Sequence, residues 1–599
     1  MRIKRKKQMR KRQWSQRKIV LILLIGVIIF SACNNGTLVG EGDGQQGRTI
    51  EGNGEELERP AEAEEDLQGT IEDLIEMTEE PGEEQIGEEF LEAEGISIFR
   101  VAVPGVEGRF NPLTASNKYD AYINSLLFDS LITSDGQGQP IPLLATWEMS
   151  EDYLTYTFFL DERATFSDGV LITAYDVEFT YQITAHPDYD GPHEYMMGNI
   201  AEIVVIDERT IAFTMQQAHP ANIWHFTHGI IPTHHYGFNR WDEFVRMEGA
   251  PIGSGRFVFA EYAPLEFVRL ERNPYHWNPE RIAQVDEILL VKIEEGMLAD
   301  VFTTEQIHLA WLSATLDNYE TFSEMGGLSL EVVPHLSYEY LQFNTLRPTL
   351  ADVRVRQALL YALDRQLYID TVLGPFGSLN LSGFFIDKSW VYPYEIELNQ
   401  YSFDLRQAVE LLEEAGWLMG EDGVRVRHGI PLELIWPVYT EVPWVGRLAE
   451  MARDSWGQLG VEVIIEEMSF TSVQGRTTAP NPGEKDFCVV AKGFSLGMDP
   501  DLSTSIFDFN EFRAGGFNAS GFFHHRAQEL VLQGRGEFNQ DIRREIYAEW
   551  AIILNYYLPS VIIANRSELW VVADGIYGVT MNAFQDWTEY AHLIRIIRR

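Results

Sequence analysis

The chain has 599 residues, a formal net charge of −45, 12% aromatic residues and 45% hydrophobic residues. That length can bury one large core or several, and this aromatic content belongs to a packed globule rather than a disordered chain. The charge excludes nucleic acid and anionic membrane surfaces as partners of the folded body, and two cysteines, Cys33 and Cys488, exclude a disulfide scaffold.

Residues 2–18 carry ten Lys or Arg and no acid, Ile19 to Ala32 is apolar, and Ser31-Ala32 places small residues before Cys33. An apolar run of about fourteen residues is shorter than the roughly 20 that a membrane-spanning helix needs, and fits a signal-peptide core. The order basic, apolar, small, Cys resembles a bacterial lipoprotein signal, with Phe30 where leucine is usual. The resemblance implies a leader over 1–32 and a diacylated Cys33 as first residue of the mature chain. Two acyl chains anchor stably where one binds only marginally.

Residues 33–96 form a Glu- and Gly-rich stretch with few large apolar side chains. Such a segment cannot bury enough surface to offset its ordering entropy, so it reads as a solvated acidic tether. As a neutral coil of about 60 residues it spans on the order of 40 Å, and self-repulsion stretches it further. Gly42-x-Gly44-x-x-Gly47 within it matches the dinucleotide fingerprint formally, but no strand precedes it and no helix follows.

From Ile96 the composition changes to alternating strands, helices and Pro/Gly/Asn turns with no fixed-period repeat. Ile98 to Ala102 reads as the opening strand. Tyr122 to Ile132 reads as a helix, Leu154 to Leu160 and Ile203 to Met215 as strand-like, and Thr173 as the cap of a helix. Leu341 and Phe343 belong to a buried strand, followed by a turn closed by Pro348 and an amphipathic helix. Val355, Ala358, Leu359 and Ala362 face the core of that helix, and Arg354, Arg356 and Arg365 face water. Cys488, in the apolar run Phe487 to Val490, reads as a small buried core residue.

The words LQFNTLRPTLADVRVRQALLYALDR over Leu341 to Arg365 resemble a segment of the family 5 extracellular solute-binding proteins, the receptors for peptide, dipeptide and nickel ABC importers. The likeness extends through Leu127 to Leu131, Leu154 to Gln182, Pro251 to Phe257, Asn273 to Trp277, Val285 to Ile288, Tyr401 to Trp417 and Asp499 to Asp501, all in the family's order. The resemblance implies an α/β, two-lobed, type II periplasmic-binding-protein fold with an extra subdomain in lobe I. Its expected divisions are lobe I over 97–134, 251–344 and 566–599, the subdomain over 135–250, and lobe II over 345–565. The chain is expected to cross between lobes near Leu341–Asn344 and again near the C terminus.

The same resemblance implies an extended oligopeptide held between the lobes by two main-chain segments, in effect an added strand. By matching order these are Asp129-Ser130-Leu131 and Gly493-Phe494-Ser495-Leu496, with Trp390 on a cleft-facing segment. The run GFSLGMDPD is similar to the pocket loop of Gram-positive oligopeptide receptors. Those receptors pair a loop aspartate with the ligand's α-amino group. Here Leu496 or Gly497 holds that place, which leaves Asp499 and Asp129 as unranked substitutes. The implied protein is a monomeric receptor without cofactor or catalysis, lipid-anchored on the extracytoplasmic face of a Gram-positive-like cell beside an ABC permease. A nickel chelate, haem or oligosaccharide is the alternative solute.

Other constellations carry less. His225 and His228 have the i, i+3 spacing of two metal ligands, but no carboxylate or cysteine set completes a tetrahedral site. Asp499-x-Asp501 opens like a calcium loop, yet its twelfth position is Asn510. A secreted hydrolase needs a nucleophile, metal set or carboxylate pair, and no spacing supplies one.

Overall fold

The computed structural model describes residues 95–193, 197–238, 241–245, 250–379, 385, 389–393, 395–479 and 485–597. The basic leader, Cys33 and the tether up to residue 94 lie outside the described residues.

Among the described residues the largest sheet has nine strands. Ile98–Val103 lies at its centre, parallel to Glu287–Lys292 and Leu309–Leu312. It is buried along nearly its whole length, which is why it reads as an almost unbroken apolar run rather than an alternating one. Two long strands, Leu328–Phe343 and Ser560–Ala573, pair antiparallel and tie the molecule together. Trp570 and Val572 pack in one core with Phe99 and Leu290, whereas Val561 and Ile563 pack in another with Leu359 and Trp436. The same strand pair therefore serves both lobes.

The register of this pair breaks between Pro334 and Tyr338, which face Ser567 and Asn565. A bulge bends a strand and raises its local twist, and Pro334 cannot donate to the ladder. The break separates the part of the strand packed against the first core, at Val333, from the part packed in the second. Leu341 and Phe343, expected at the crossing, already pack in the second core.

A separate four-stranded antiparallel sheet joins Ala145–Met149, Thr155–Leu160, Thr210–Met215 and Ile200–Asp207. The single strand-like stretch expected over 203–215 is a hairpin that turns at Glu208-Arg209, because both arms have the same apolar alternation and only the polar turn separates them. Helix Ala174–Thr184 starts where expected. The Asp176 carboxylate accepts from both the amide and the hydroxyl of Thr173, a capping arrangement that adds a partner to the expected Thr173 cap.

Two expectations need correction. The helix read over 122–132 spans Lys118–Leu127, since the Asn117 side chain accepts from the amides of Tyr119 and Asp120 and sets an earlier start. Phe128 is already extended. Arg356 and Arg365 do not face water but are buried, and only Arg354 reaches solvent. The Arg356 guanidinium donates to the carbonyls of Leu350 at 2.6 Å and Tyr557 at 2.6 Å, and Arg365 donates to those of Ile562 and Gln400. Burial pulls both down to about 10. These arginines clamp main-chain carbonyls across lobe II, a role helical periodicity cannot distinguish from an exposed face.

In lobe II, Glu433–Tyr439 and Glu462–Met468 run parallel, joined through helix Pro443–Gly457 as a parallel pair requires. Val489–Ser495 lies alongside, with the Cys488 amide donating to the Ile435 carbonyl at 2.8 Å. Cys488 itself is buried.

Candidate functional site

The strand Val489–Ser495 ends beside the bulge in the crossing strand. Its residues Gly493, Phe494 and Ser495 face Glu339, Tyr338 and Ser337 of the crossing strand, and the Leu496 amide donates to the Leu336 carbonyl at 2.8 Å. It is also the terminal strand of the nine-stranded sheet. Among the described residues its outer flank has no partner in that sheet, although Glu433–Tyr439 lies beside its start, where the Cys488 amide donates to the Ile435 carbonyl. An added peptide strand uses such a flank, here past that start. Phe494 stacks on Tyr338 at 5.7 Å between centroids and meets Phe517 edge-on, which fixes the strand against the aromatic core behind it.

Asp129-Ser130-Leu131 is placed differently. The carbonyls of Asp129 and Ser130 accept from Ile230 and Leu144, and that of Leu131 accepts from both Leu143 and Ala145. The Asp129 amide donates to Ser254 Oγ, and Ser130 Oγ donates to the Ile132 carbonyl. The main-chain acceptors of this segment are thus engaged within lobe I. Leu131 is fully buried among Ile132, Leu144 and Phe158.

The two substitute carboxylates also have internal partners. Asp129 Oδ2 accepts from Trp277 Nε1 at 2.7 Å and lies 3.1 Å from His276 Nε2. Burial alone would raise its pKa, but the His276 bond and the charges of His276, Arg281 and Arg256 hold it at about 2. Asp499 forms a two-pronged ion pair with Arg543, at 2.7 and 2.6 Å, both side chains being buried. Arg543 also lies 5.6 Å from the Trp390 ring and donates to the Gly534 carbonyl. A third carboxylate that the sequence did not single out, Glu339, is buried on the crossing strand. It accepts from the Tyr368 hydroxyl at 2.6 Å and faces Arg566 at 3.5 Å, with burial as the main cause of its raised pKa.

The structure therefore brings Asp499 and Trp390 together around Arg543, and gathers Phe494, Leu496 and Trp390 in or against one aromatic cluster. Asp129 to Leu131 belong to a separate network. Trp390 lines a cavity of about 670 Å³ with Tyr392, Arg544 and Glu545 from lobe II and Gln137 from a hairpin of lobe I. Among the described residues no group of three or more metal-ligating side chains converges.

Three further contacts join the two sides at this level. Tyr153, at the turn between the first two strands of the four-stranded sheet, stacks on Phe538 at 4.1 Å and 7°. His219 Nε2 lies 3.3 Å from Asp501 Oδ2, and Gln540 donates to Gln139. Tyr153 is held at φ 57°, a left-handed conformation that costs a non-glycine residue roughly 1–2 kcal/mol. The stack is worth about 0.5–1.5 kcal/mol beyond area burial. Tyr153→Ala is accordingly expected to weaken closure by about three- to tenfold. Small-angle scattering would read this as a larger radius of gyration at the same ligand concentration. Scattering curves superimposable on the wild type would remove the stack from the closing contacts.

The model of the bacterial extracellular solute-binding proteins, family 5 middle, matches residues 139–512. A putative ABC transporter peptide-binding protein of Brucella ovis is 24% identical over 516 residues, 82% of this chain and 90% of that protein. The structure of HbpA2 from Haemophilus parasuis superposes with a TM-score of 0.73 at 20% identity, covering 83% of this chain and 99% of that one. The oligopeptide-binding protein AppA of Bacillus subtilis, solved in complex with a nonapeptide, superposes with a TM-score of 0.60 at 21% identity, covering 84% and 99%.

Proposed function

Since the chain belongs to the bacterial extracellular solute-binding proteins of family 5, we propose that it is the receptor of an ABC importer that captures an oligopeptide between its lobes. The observation that carries this reading is the strand Val489–Ser495, a sheet-terminal strand ending beside the bulge in the crossing strand. A peptide laid along its flank is read through main-chain hydrogen bonds, leaving side chains to roomy pockets. The names of the relatives, a peptide-binding protein and an oligopeptide-binding protein solved in complex with a nonapeptide, support the same ligand class.

The finer parts of the reading follow from it. The receptor works as a monomer without catalysis: ligand bridging both lobes biases an equilibrium between open and closed forms. A permease then recognises the closed form. Cys33 carries the lipid anchor, and residues 33–96 hold the body off the extracytoplasmic face of a Gram-positive-like membrane. We place the lobe divisions as the sequence suggests, except that the first crossing moves to the bulge at 334–338. The 493–496 segment and Trp390 line the ligand path. Asp129 to Leu131 contribute the lobe I wall through the shape of their segment, their carbonyls being engaged.

Calorimetric titration of the protein with a pool of random nonapeptides tests the ligand class. Saturable heat is the expected result. Silence with peptides together with saturable heat from a nickel chelate, haem or cello-oligosaccharides would replace the peptide with that solute.

A further inference from the structure

Gln139, Tyr153 and His219, which meet Gln540, Phe538 and Asp501, all fall within residues 135–250, the stretch assigned to the extra subdomain. They come from three separate turns. In the third contact each half is oriented from within its own side. His219 caps the short 3-10 helix Pro220–Phe226, and its Nδ1 accepts from the Ala221 amide at 3.0 Å. A ring nitrogen that accepts carries no proton, so the neutral imidazole has its N–H at Nε2, the atom 3.3 Å from Asp501 Oδ2. The helix behind it is anchored. Ile223 and Phe226 are buried in the core of the four-stranded sheet, Asn222 donates to the Gln217 carbonyl at 2.8 Å, and the Tyr181 hydroxyl donates to the His225 carbonyl at 2.9 Å.

Asp501 is fixed in the same way. Its Oδ1 accepts from Arg535 Nε at 2.6 Å and from Thr504 Oγ1 at 2.8 Å, and its amide donates to Asp499 Oδ1 at 2.9 Å. Burial alone would raise its pKa, but His219 and Arg535 hold it at about 2. The acceptor is therefore an ionised oxygen, which binds an N–H more strongly than a neutral one does. The two side chains are 23% and 19% exposed, so water competes for the contact only in part. Asp501 follows the strand Val489–Ser495 closely in sequence. The contact thus lies just past the end of the segment that reads the peptide.

We propose that the extra subdomain is the latch of this receptor and His219 its polar catch, which draws in on Asp501 when a peptide is enclosed and sets how slowly that peptide leaves. This rests on the peptide-receptor reading above. Donor and acceptor are both oriented before they meet, so closing forms the bond with little side-chain ordering left to lose. Peptide reaches the open form before the contact exists. Loss of the catch therefore shows in release and not in capture, the usual place for a contact formed late in binding.

Two variants separate the catch from the helix cap. His219→Asn keeps a preferred cap that accepts from the Ala221 amide, but its shorter side chain stops short of Asp501. His219→Gln reaches Asp501 with an N–H and gives up the ring acceptor. The full chain is loaded with a pool of random nonapeptides and diluted in a stopped-flow instrument, with tryptophan emission following release. The expected result is release about three- to tenfold faster in His219→Asn, with association rate and thermal midpoint unchanged, and within about twofold of the wild type in His219→Gln. Wild-type release in His219→Asn, or release in His219→Gln as fast as in His219→Asn, overturns the latch alone. So does faster release that comes with a lowered thermal midpoint, which assigns His219 to folding. A wild-type protein that takes up no nonapeptide overturns the peptide reading and the latch with it.

Discussion

Arg543→Ala is expected to destabilise lobe II by about 3–5 kcal/mol. The substitution leaves Asp499, 8% exposed, as a buried carboxylate without its two-pronged partner. It also releases the Gly534 carbonyl and the cation over the Trp390 and Tyr547 rings. The paired arginine is held well above its ordinary range, the attraction of Asp499 outweighing burial. Thermal unfolding followed by circular dichroism measures the loss. The double variant Asp499→Leu/Arg543→Met should recover at least half of it, because apolar packing can replace a buried pair while half a pair cannot be tolerated. A loss under about 1 kcal/mol in Arg543→Ala would mean that Asp499 has solvent or ligand within reach after all. The same pairing predicts that Asp499→Asn affects stability before it affects binding.

Asp129→Ala should cost a similar amount, about 3–5 kcal/mol, through lobe I. It leaves Trp277 Nε1 without its acceptor and removes the negative charge beside the buried Arg256. A second readout is the dependence on acid. The folded-state pKa of Asp129, about 2, lies below the unfolded value of roughly 3.9. Its contribution, about 2–3 kcal/mol, is complete above that unfolded value and disappears as pH falls from about 4 to about 2. Asp129→Asn should therefore flatten the acid limb of stability between those limits while lowering it at neutral pH. An acid limb identical to the wild type would show that the carboxylate is not the one being titrated.

Both predictions concern residues that the sequence pointed to as ligand partners. An aspartate next to a glycine-rich loop and one at the end of a helix look alike whether they face a crevice or an arginine. Arg543 lies far from Asp499 in sequence, and His276 lies farther still from Asp129. No local spacing connects such pairs. Lys485 escaped notice for the same reason, since it looks like a surface residue flanking an apolar run but is 2% exposed. Only the packing of helix Phe470–Thr477, whose Thr477 carbonyl accepts from its ammonium, takes it out of water.

By itself, the sequence determined the family and the fold, because words such as RVRQAL and the order of eight similar pieces survive without coordinates. It also determined features whose physics is local: the opening strand at Ile98, the Thr173 cap, the buried face of Val355, Ala358 and Leu359, and Cys488 in the core. Tertiary structure alone decided which charges are neutralised within the protein. It turned Arg356 and Arg365 into carbonyl clamps and put a bulge in the crossing strands. The physical reason is range. Caps and hydrophobic periodicity act within a few residues, whereas desolvation and ion pairing depend on whatever distant segment folds against a side chain.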